Sequence, residues 1–319
     1  MPTPDLLTVG EAFEDLIFIG LPMLPRPGEE VKTSRFVATS GGGAIITAVA
    51  AARLGTGCRV VTGVGDTGLA RLKREGISVA NLRRDGEPHA ISAALSTSSN
   101  RSFVTFNGIN DVLEERLPAA LARERARHVH FAFFPHSCAR WEAYVQELKQ
   151  RGITTSWDFG WNEALLDDRR FPQLLRALDY VFLNEQEAVL YARRHDLEAA
   201  LAVWRDAPMH VIVKLGPKGS RWMGMHADLA VPTRKIKVVD TTGAGDAFNG
   251  GFLTGLLRGL GRTACLRLGN FVGTLSTRKA GGLDGLPSRS DVPATLGLTD
   301  TTTNATSRRP ARRPSTRRS

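Results

Sequence analysis

The sequence predicts an α/β fold, a doubly wound and mostly parallel sheet with a small second β-sheet set apart from it. Three observations carry this. Short, continuously apolar runs alternate with helical patterns, as in HVHFAF (128–133), ITTSWD (153–158), YVFL (180–183) and VIVKL (211–215). Uninterrupted apolar strands belong to sheets covered on both faces, and their alternation with helices belongs to doubly wound folds. Two other stretches, 16–39 and 90–106, alternate apolar and polar residues around turn signals, the pattern of a small, separate sheet. Finally, VVDTTGAGDAFNGGFLTGLLRGL (238–260) runs from an apolar segment through a glycine turn into a helix.

Taken in order, DLLTVG (5–10) reads as the first strand, with Glu14 and Asp15 shortly after it. LPMLPRPGEE then VKTSRFVAT gives a proline-rich turn and an alternating strand. Ser40-Gly41-Gly42-Gly43 leads into the alanine-rich helix IITAVAAARLG, and glycines there let the backbone approach a ligand closely. CRVVTGVGD (58–66) is the next strand, followed by a short helix before Gly76-Ile77. AISAALSTSSNRSFVTF (90–106) reads as a hairpin turning at Ser98–Arg101. Helices are expected over 138–150 and 163–178, after YVFL, and over 262–280. RWMGMHADLAV reads as a hairpin. Ile236 to Val239 reads as the end of a buried strand. In the helix from Asp246, Phe248, Phe252 and Leu256 recur every four residues as a core stripe, and Gly250, Gly251 and Gly255 suit close helix packing.

The chemistry concentrates at the start of that helix. The backbone amides of Gly243, Ala244 and Gly245 sit at a helix N-terminus, which favours an anion. An aspartate inside an anion site makes chemical sense when its carboxylate takes a proton from a hydroxyl that attacks a phosphate. Asp246 is therefore the candidate general base. No GxxxxGK[ST] occurs, which excludes phosphate binding of the P-loop kind.

The chain has 319 residues, 42% of them hydrophobic, enough for one large α/β domain. Its three cysteines, Cys58, Cys138 and Cys265, are widely spaced and read as buried thiols, with neither a disulfide framework nor a zinc site. His128 and His130 share a strand face and read as structural. No signal-peptide pattern and no apolar run of about 18 residues appears, so a cytoplasmic protein with no membrane partner is expected. The formal charge is +10, of which six arginines of 301–319 account for +6 and leave +4 for the rest. Residues 299–319, rich in Thr, Ser, Pro and Arg, read as a disordered basic tail, and without interleaved aromatics they make no case for nucleic-acid binding.

The string DTTGAGDAFNGGF resembles the C-terminal signature of the ribokinase-like carbohydrate kinases, the PfkB family, and the triple glycine resembles the N-terminal one. The resemblance implies a ribokinase-like domain over 1–298 that transfers phosphate from ATP, with Mg²⁺, to a hydroxyl of a sugar or sugar derivative. The small sheet becomes a lid over the sugar and a surface for a homodimer. Asp15, Gly41, Gly42 and Gly43 fall on the sugar side. Asn184-Glu185-Gln186-Glu187 matches an NxxE motif, which places Asn184 near the triphosphate and Glu187, through water, on Mg²⁺. Lys214-Leu215-Gly216-Pro217-Lys218-Gly219 resembles the nucleotide loop, with Lys214, Gly216 and Gly219 joined there by Thr242 and Asn270. Asp240 and the Thr242 carbonyl would hold a monovalent cation such as K⁺.

Three departures stand out: Ile46 where the family has an asparagine, a shortened 67–76 segment, and Lys214 where threonine is commoner. A nucleoside kinase of the same family remains open, as does a catalytically weak member that binds or regulates.

Overall fold

The computed structural model describes residues 3–97 and 101–298. The turn expected at 98–101 falls largely, and the tail over 299–319 entirely, outside the described residues. Nine strands form the main sheet, in the order β13-β12-β11-β10-β9-β8-β1-β4-β5. They are β1 (Leu6–Gly10), β4 (Cys58–Thr62), β5 (Ser78–Asn81), β8 (His128–Ala132), β9 (Thr154–Asp158), β10 (Tyr180–Asn184), β11 (His210–Lys214), β12 (Ser220–Gly224) and β13 (Ala227–Val231). From β11 to β5 the pairs are parallel; β12 and β13 are a hairpin that pairs antiparallel on the β11 edge. Strands β1 and β8 are buried throughout, and β11 buries its central residues. That is why their sequences are continuously apolar, not alternating.

The second sheet has the order β3-β2-β6-β7, from β2 (Phe13–Leu21), β3 (Arg35–Gly41), β6 (Ile91–Thr97) and β7 (Arg101–Phe106). Its β2–β3 and β6–β7 pairs are antiparallel and its central β2–β6 pair is parallel. β2 starts early enough to place Asp15 inside the sheet, opposite Thr39 and Ser92, and not in a loop.

Helix α1 (Gly43–Arg53) follows the triple glycine, and α2 (Asp66–Arg74) occupies the shortened segment. The stretch 107–127, to which the sequence assigns no element, contains α3 (Asn110–Leu121). Next come α4 (Cys138–Gln150), α5 (Phe171–Ala177), α6 (Glu185–Tyr191), α7 (Leu197–Arg205), α8 (Ala244–Leu257) and α9 (Arg262–Ser276). A single helix over 163–178 is not formed: a 3₁₀ turn at Glu163–Leu166 precedes α5, which begins with Phe171-Pro172.

Each face of the main sheet has its own core. Trp141, Trp157, Phe131 and Phe159 fill one beneath α4 and α5, and Phe182, Phe252, Trp222 and α1 fill the other beneath α8 and α9. The α8 glycines do pack closely. A Cβ on Gly250 would stand 2.6 Å from Ala50 Cβ and 2.6 Å from the Thr47 carbonyl of α1, and one on Gly251 would meet Val272 and the Leu268 carbonyl of α9.

The segment before α8 corrects the sequence reading. Ile236–Val239 forms no strand, and Val238 and Val239 are 53% and 54% exposed. The main sheet ends at β13, followed at once by Pro232. The Val239 and Asp240 amides donate instead to the Thr277 carbonyl at the end of α9. The apolar side chains are used as cleft wall, not as sheet core.

Candidate active site

The C-terminal ends of the parallel strands and the start of α8 meet along one edge, where ligands of open α/β sheets bind. Gly243, the residue before α8, has φ 69°, a left-handed conformation that favours glycine, and a Cβ there would press on Ile46 Cδ1 at 2.5 Å. Among the described residues the Gly243 and Gly245 amides have no acceptor; the Ala244 amide donates to the Thr241 carbonyl at 3.2 Å. Asp240 fixes the turn from below. Its Oδ1 accepts the Thr242 amide at 2.8 Å and its Oδ2 the Gly281 amide at 2.9 Å.

Asp246 lies in the first turn of α8. Its Oδ1 stands 3.0 Å from where a Cβ on Gly43 would be, and Ala132 Cβ at the end of β8 stands 2.9 Å from the same point. Only glycine at 43 leaves room for the carboxylate and for a group beside it. Gly41 repeats the device, since its Cβ would fall 1.9 Å from Asp15 Oδ2. At Gly42, φ 100° and the Glu11 carbonyl, 2.3 Å from a Cβ there, exclude any side chain. The triple glycine thus passes close to both carboxylates. Burial, then the nearby Asp240, pushes Asp15 up to about 6.

Sequence reasoning passes over Asp158, at the end of β9. Its Oδ2 accepts Lys214 Nζ at 2.5 Å and Asn249 Nδ2 at 2.7 Å. Burial raises the Asp158 carboxyl, but the Lys214 charge and the bonds from Lys214 and Asn249 outweigh that and hold it below the usual range. Burial opposes the Lys214 charge, yet Asp158, Glu187 and Asp246 together keep its pKa above the usual value. The available signal was Asp158 ending an apolar strand, and Asn249 lying one helical turn beyond Asp246.

Asn184 and Glu187 form a reciprocal cap on α6. The Asn184 side chain accepts the Glu187 amide at 2.8 Å, and Glu187 Oε2 accepts the Asn184 amide at 2.7 Å. The NxxE motif therefore has a structural duty as well. Burial, then the neighbouring Asp158 charge, pushes Glu187 up to about 7. For Asp246 the same two causes, opposed by Lys214, also give about 7.

Beside the turn opens a cleft of about 470 Å³ lined by Lys214, Gly216, Gly219, Ile236, Val238 and Phe248 among others. Gly219, at φ 99°, lets the Val231 carbonyl approach its Cα. Asn270 lines the cleft and donates Nδ2 to the Val231 carbonyl at 3.0 Å, so it shapes the wall by holding the chain after β13.

Ile46 does not offer an apolar surface to the acceptor side. It is 2% exposed and packs on Gly243 and Gly282 beneath the turn. His128 and His130 are buried, bonded to Thr154 and Ser156, and pushed by burial down to about 3 and about 4, so they stay neutral. Among the described residues, no cluster of three His, Cys, Asp or Glu is arranged for a metal. No described helix is long and apolar enough to cross a membrane.

The model of the pfkB family of carbohydrate kinases matches residues 3–289. The chain belongs to that family. The pfkB kinase is 27% identical to ribokinase from Bacillus subtilis over 92% of this chain and 99% of that protein. It is 26% identical to fructokinase-1 from Zea mays, over 81% and 88% respectively. A crystal structure of a putative ribokinase from Agrobacterium tumefaciens superposes with a TM-score of 0.75 at 21% identity, covering 92% of this chain and 97% of that one. A nucleoside kinase from Methanocaldococcus jannaschii superposes with a TM-score of 0.74 at 20% identity, covering 91% and 98%. These superpositions show the same fold, a large mostly parallel sheet with a small β lid.

Proposed function

We propose that this pfkB kinase phosphorylates a hydroxyl of a sugar or sugar derivative from ATP, with Asp246 as general base. The observation that carries the reading is the position of Asp246. It stands in the first turn of α8, at the amide turn beside the cleft, with its carboxylate aimed at Gly43 on the acceptor side. Asp246 takes the proton as the hydroxyl attacks in line. The Gly243 and Gly245 amides at the helix start stabilise charge on the transferred group, while the Ala244 amide, committed to the Thr241 carbonyl, holds the turn; positioning and electrostatics supply most of the acceleration. Lys214, Gly216, Gly219, Thr242 and Asn270 line or brace the nucleotide side. Asp15 and Gly41 of the small sheet, with Gly42 and Gly43 just after it, form the sugar side.

The residues present fit Mg²⁺ in the form a nucleotide brings it. Few carboxylates face the site, and Mg²⁺ keeps several waters and phosphate oxygens. Glu187 would hold it through water, and the ion would neutralise charge between phosphates. Asp240 and the Thr242 carbonyl would hold a monovalent cation, with both Asp240 oxygens also accepting amides that order the turn. We assign no step to K⁺.

The pKa of the base fixes the pH dependence. Asp246 must be ionised to accept the proton, and its pKa stands near 7. Below that value kcat/KM should rise about tenfold per pH unit, levelling off above it. A profile flat from pH 5 to 8 would contradict the assignment. The stability sign is opposite. The folded state holds this proton more tightly than the unfolded chain does, so stability declines as pH climbs from the ordinary carboxylate range towards 7.

The nucleoside-kinase reading has its own support. Phe134 and Trp161, just past β8 and β9, are 38% and 50% exposed and offer aromatic faces near Ala132 and Asp158. On the small sheet, Phe36, Phe103 and Phe106 are exposed and support a homodimer through the lid. The deciding experiment is ATP consumption over a panel of free sugars, substituted sugars and nucleosides, with Asp246→Asn as blank. A sugar-selective rate supports the main reading, a nucleoside-selective rate the second. Nucleotide binding with no turnover on any acceptor would leave the binding or regulatory role.

A further inference from the structure

Lys214 occupies an unusual place. It ends β11, lines the cleft on one side, and reaches Asp158 on the other with Nζ 2.5 Å from Oδ2. The same Nζ stands 3.1 Å from where a Cβ on Gly245 would be, so ammonium and first-turn amides lie together at the start of α8. The helix start already carries about half a positive charge, which makes it a poor neighbour for a lysine that serves only as structural ballast. Asp158 is also held by Asn249 and keeps a polar partner without the lysine. Replacing a buried ion pair by apolar groups is often neutral or stabilising, so stability alone does not account for the pair.

We propose that Lys214 binds the terminal phosphoryl group of the nucleotide, and that Asp158 is the carboxylate that holds the ammonium in place. Resting on the kinase reading, this gives the chain a fixed cation of its own between the nucleotide cleft and Asp246. A flexible point charge with three donors suits a phosphoryl group whose oxygens shift during transfer. Asp158 is a positioning residue. It accepts one donor of the ammonium, which leaves two for phosphate oxygens. Part of the neutralisation that a phosphate-bound metal supplies would then come from the side chain.

The test is nucleotide affinity by calorimetry, for ATP and ADP, in EDTA and in Mg²⁺. The wild-type chain should favour ATP over ADP in EDTA, and Lys214→Met should abolish that preference by weakening ATP about 10- to 100-fold while leaving ADP nearly unchanged. Lys214→Met leaves Asp158 without its ion-pair partner, so the double variant Asp158→Asn, Lys214→Met serves as the folding control. It should melt near the wild type, bind ADP, and lack the ATP preference. Lys214→Arg should retain part of it. In turnover, Lys214→Met should lose kcat with the acceptor KM unchanged, and should need more Mg²⁺ for its residual rate. An ATP preference equal to wild type in the folded double variant would overturn the proposal while leaving the kinase reading intact. Failure of the wild-type chain to bind any nucleotide would remove both.

Discussion

Asp246→Asn should abolish turnover while the chain folds and binds nucleotide as before. Asparagine has nearly the same shape, and the bond from Thr47 Oγ1 goes to the backbone carbonyl, which the substitution keeps. What is lost is the capacity to accept a proton. A positioned general base contributes about 10²–10⁴ in rate, so kcat should fall by that factor with the ATP affinity little changed. Removing a carboxylate whose pKa is raised by burial should, if anything, raise the melting temperature at pH 8, where the wild-type group is held ionised at a cost. Turnover within a few-fold of wild type would assign the base elsewhere, and Glu187 is the other carboxylate of the cluster raised to about 7.

Gly250→Val should produce a large loss of stability. Its Cβ would stand 2.6 Å from both Ala50 Cβ and the Thr47 carbonyl, and 3.1 Å from the Ala51 amide. These atoms belong to the backbone and first side-chain atoms of α1, which cannot rotate away. Overpacking a core costs about 1–3 kcal/mol and more where backbone must move, and valine adds the stiffness of a β-branched side chain in a helix. At roughly 2 °C per kcal/mol for a domain of this size, a cost of about 3 kcal/mol or more lowers the melting temperature by about 5 °C or more. Because α1 begins at Gly43 and α8 carries Asp246, separating the two helices should lower kcat as well. A melting temperature within about 2 °C of wild type would show that the helices can part without penalty.

What was legible in the sequence was local. The spacing of Phe248, Phe252 and Leu256 gave the buried face of α8, and the run of glycines at 41–43 announced a close approach, because both depend on neighbours along the chain. The NxxE string was noticed only through the family resemblance; its service as a helix cap, closed within four residues, was local too and went unread. Asp158 was not, since its partners Lys214 and Asn249 lie far along the chain and only the order β9-β10-β11 brings them together. Ile46 stood out in the sequence only as a departure from the family's asparagine, and nothing local told what it packs on. Its true neighbours, Gly243 and Gly282, come from the other end of the sequence. The run Ile236–Val239 had the composition of a strand, but the Val239 and Asp240 amides are taken by the Thr277 carbonyl after α9, a partner nearly forty residues on.

The order of the strands also separates two inheritances. Elements proposed for the acceptor side, Asp15, the triple glycine and the small sheet, come from the first third of the chain. Those around the cleft come from β11 onward. Between them stands the contact of α1 with α8, through Thr47, Ala50 and Gly250. Changes in the early segment can therefore alter which molecule receives the phosphate without disturbing how the donor is held, provided that this one seam of small residues is left alone.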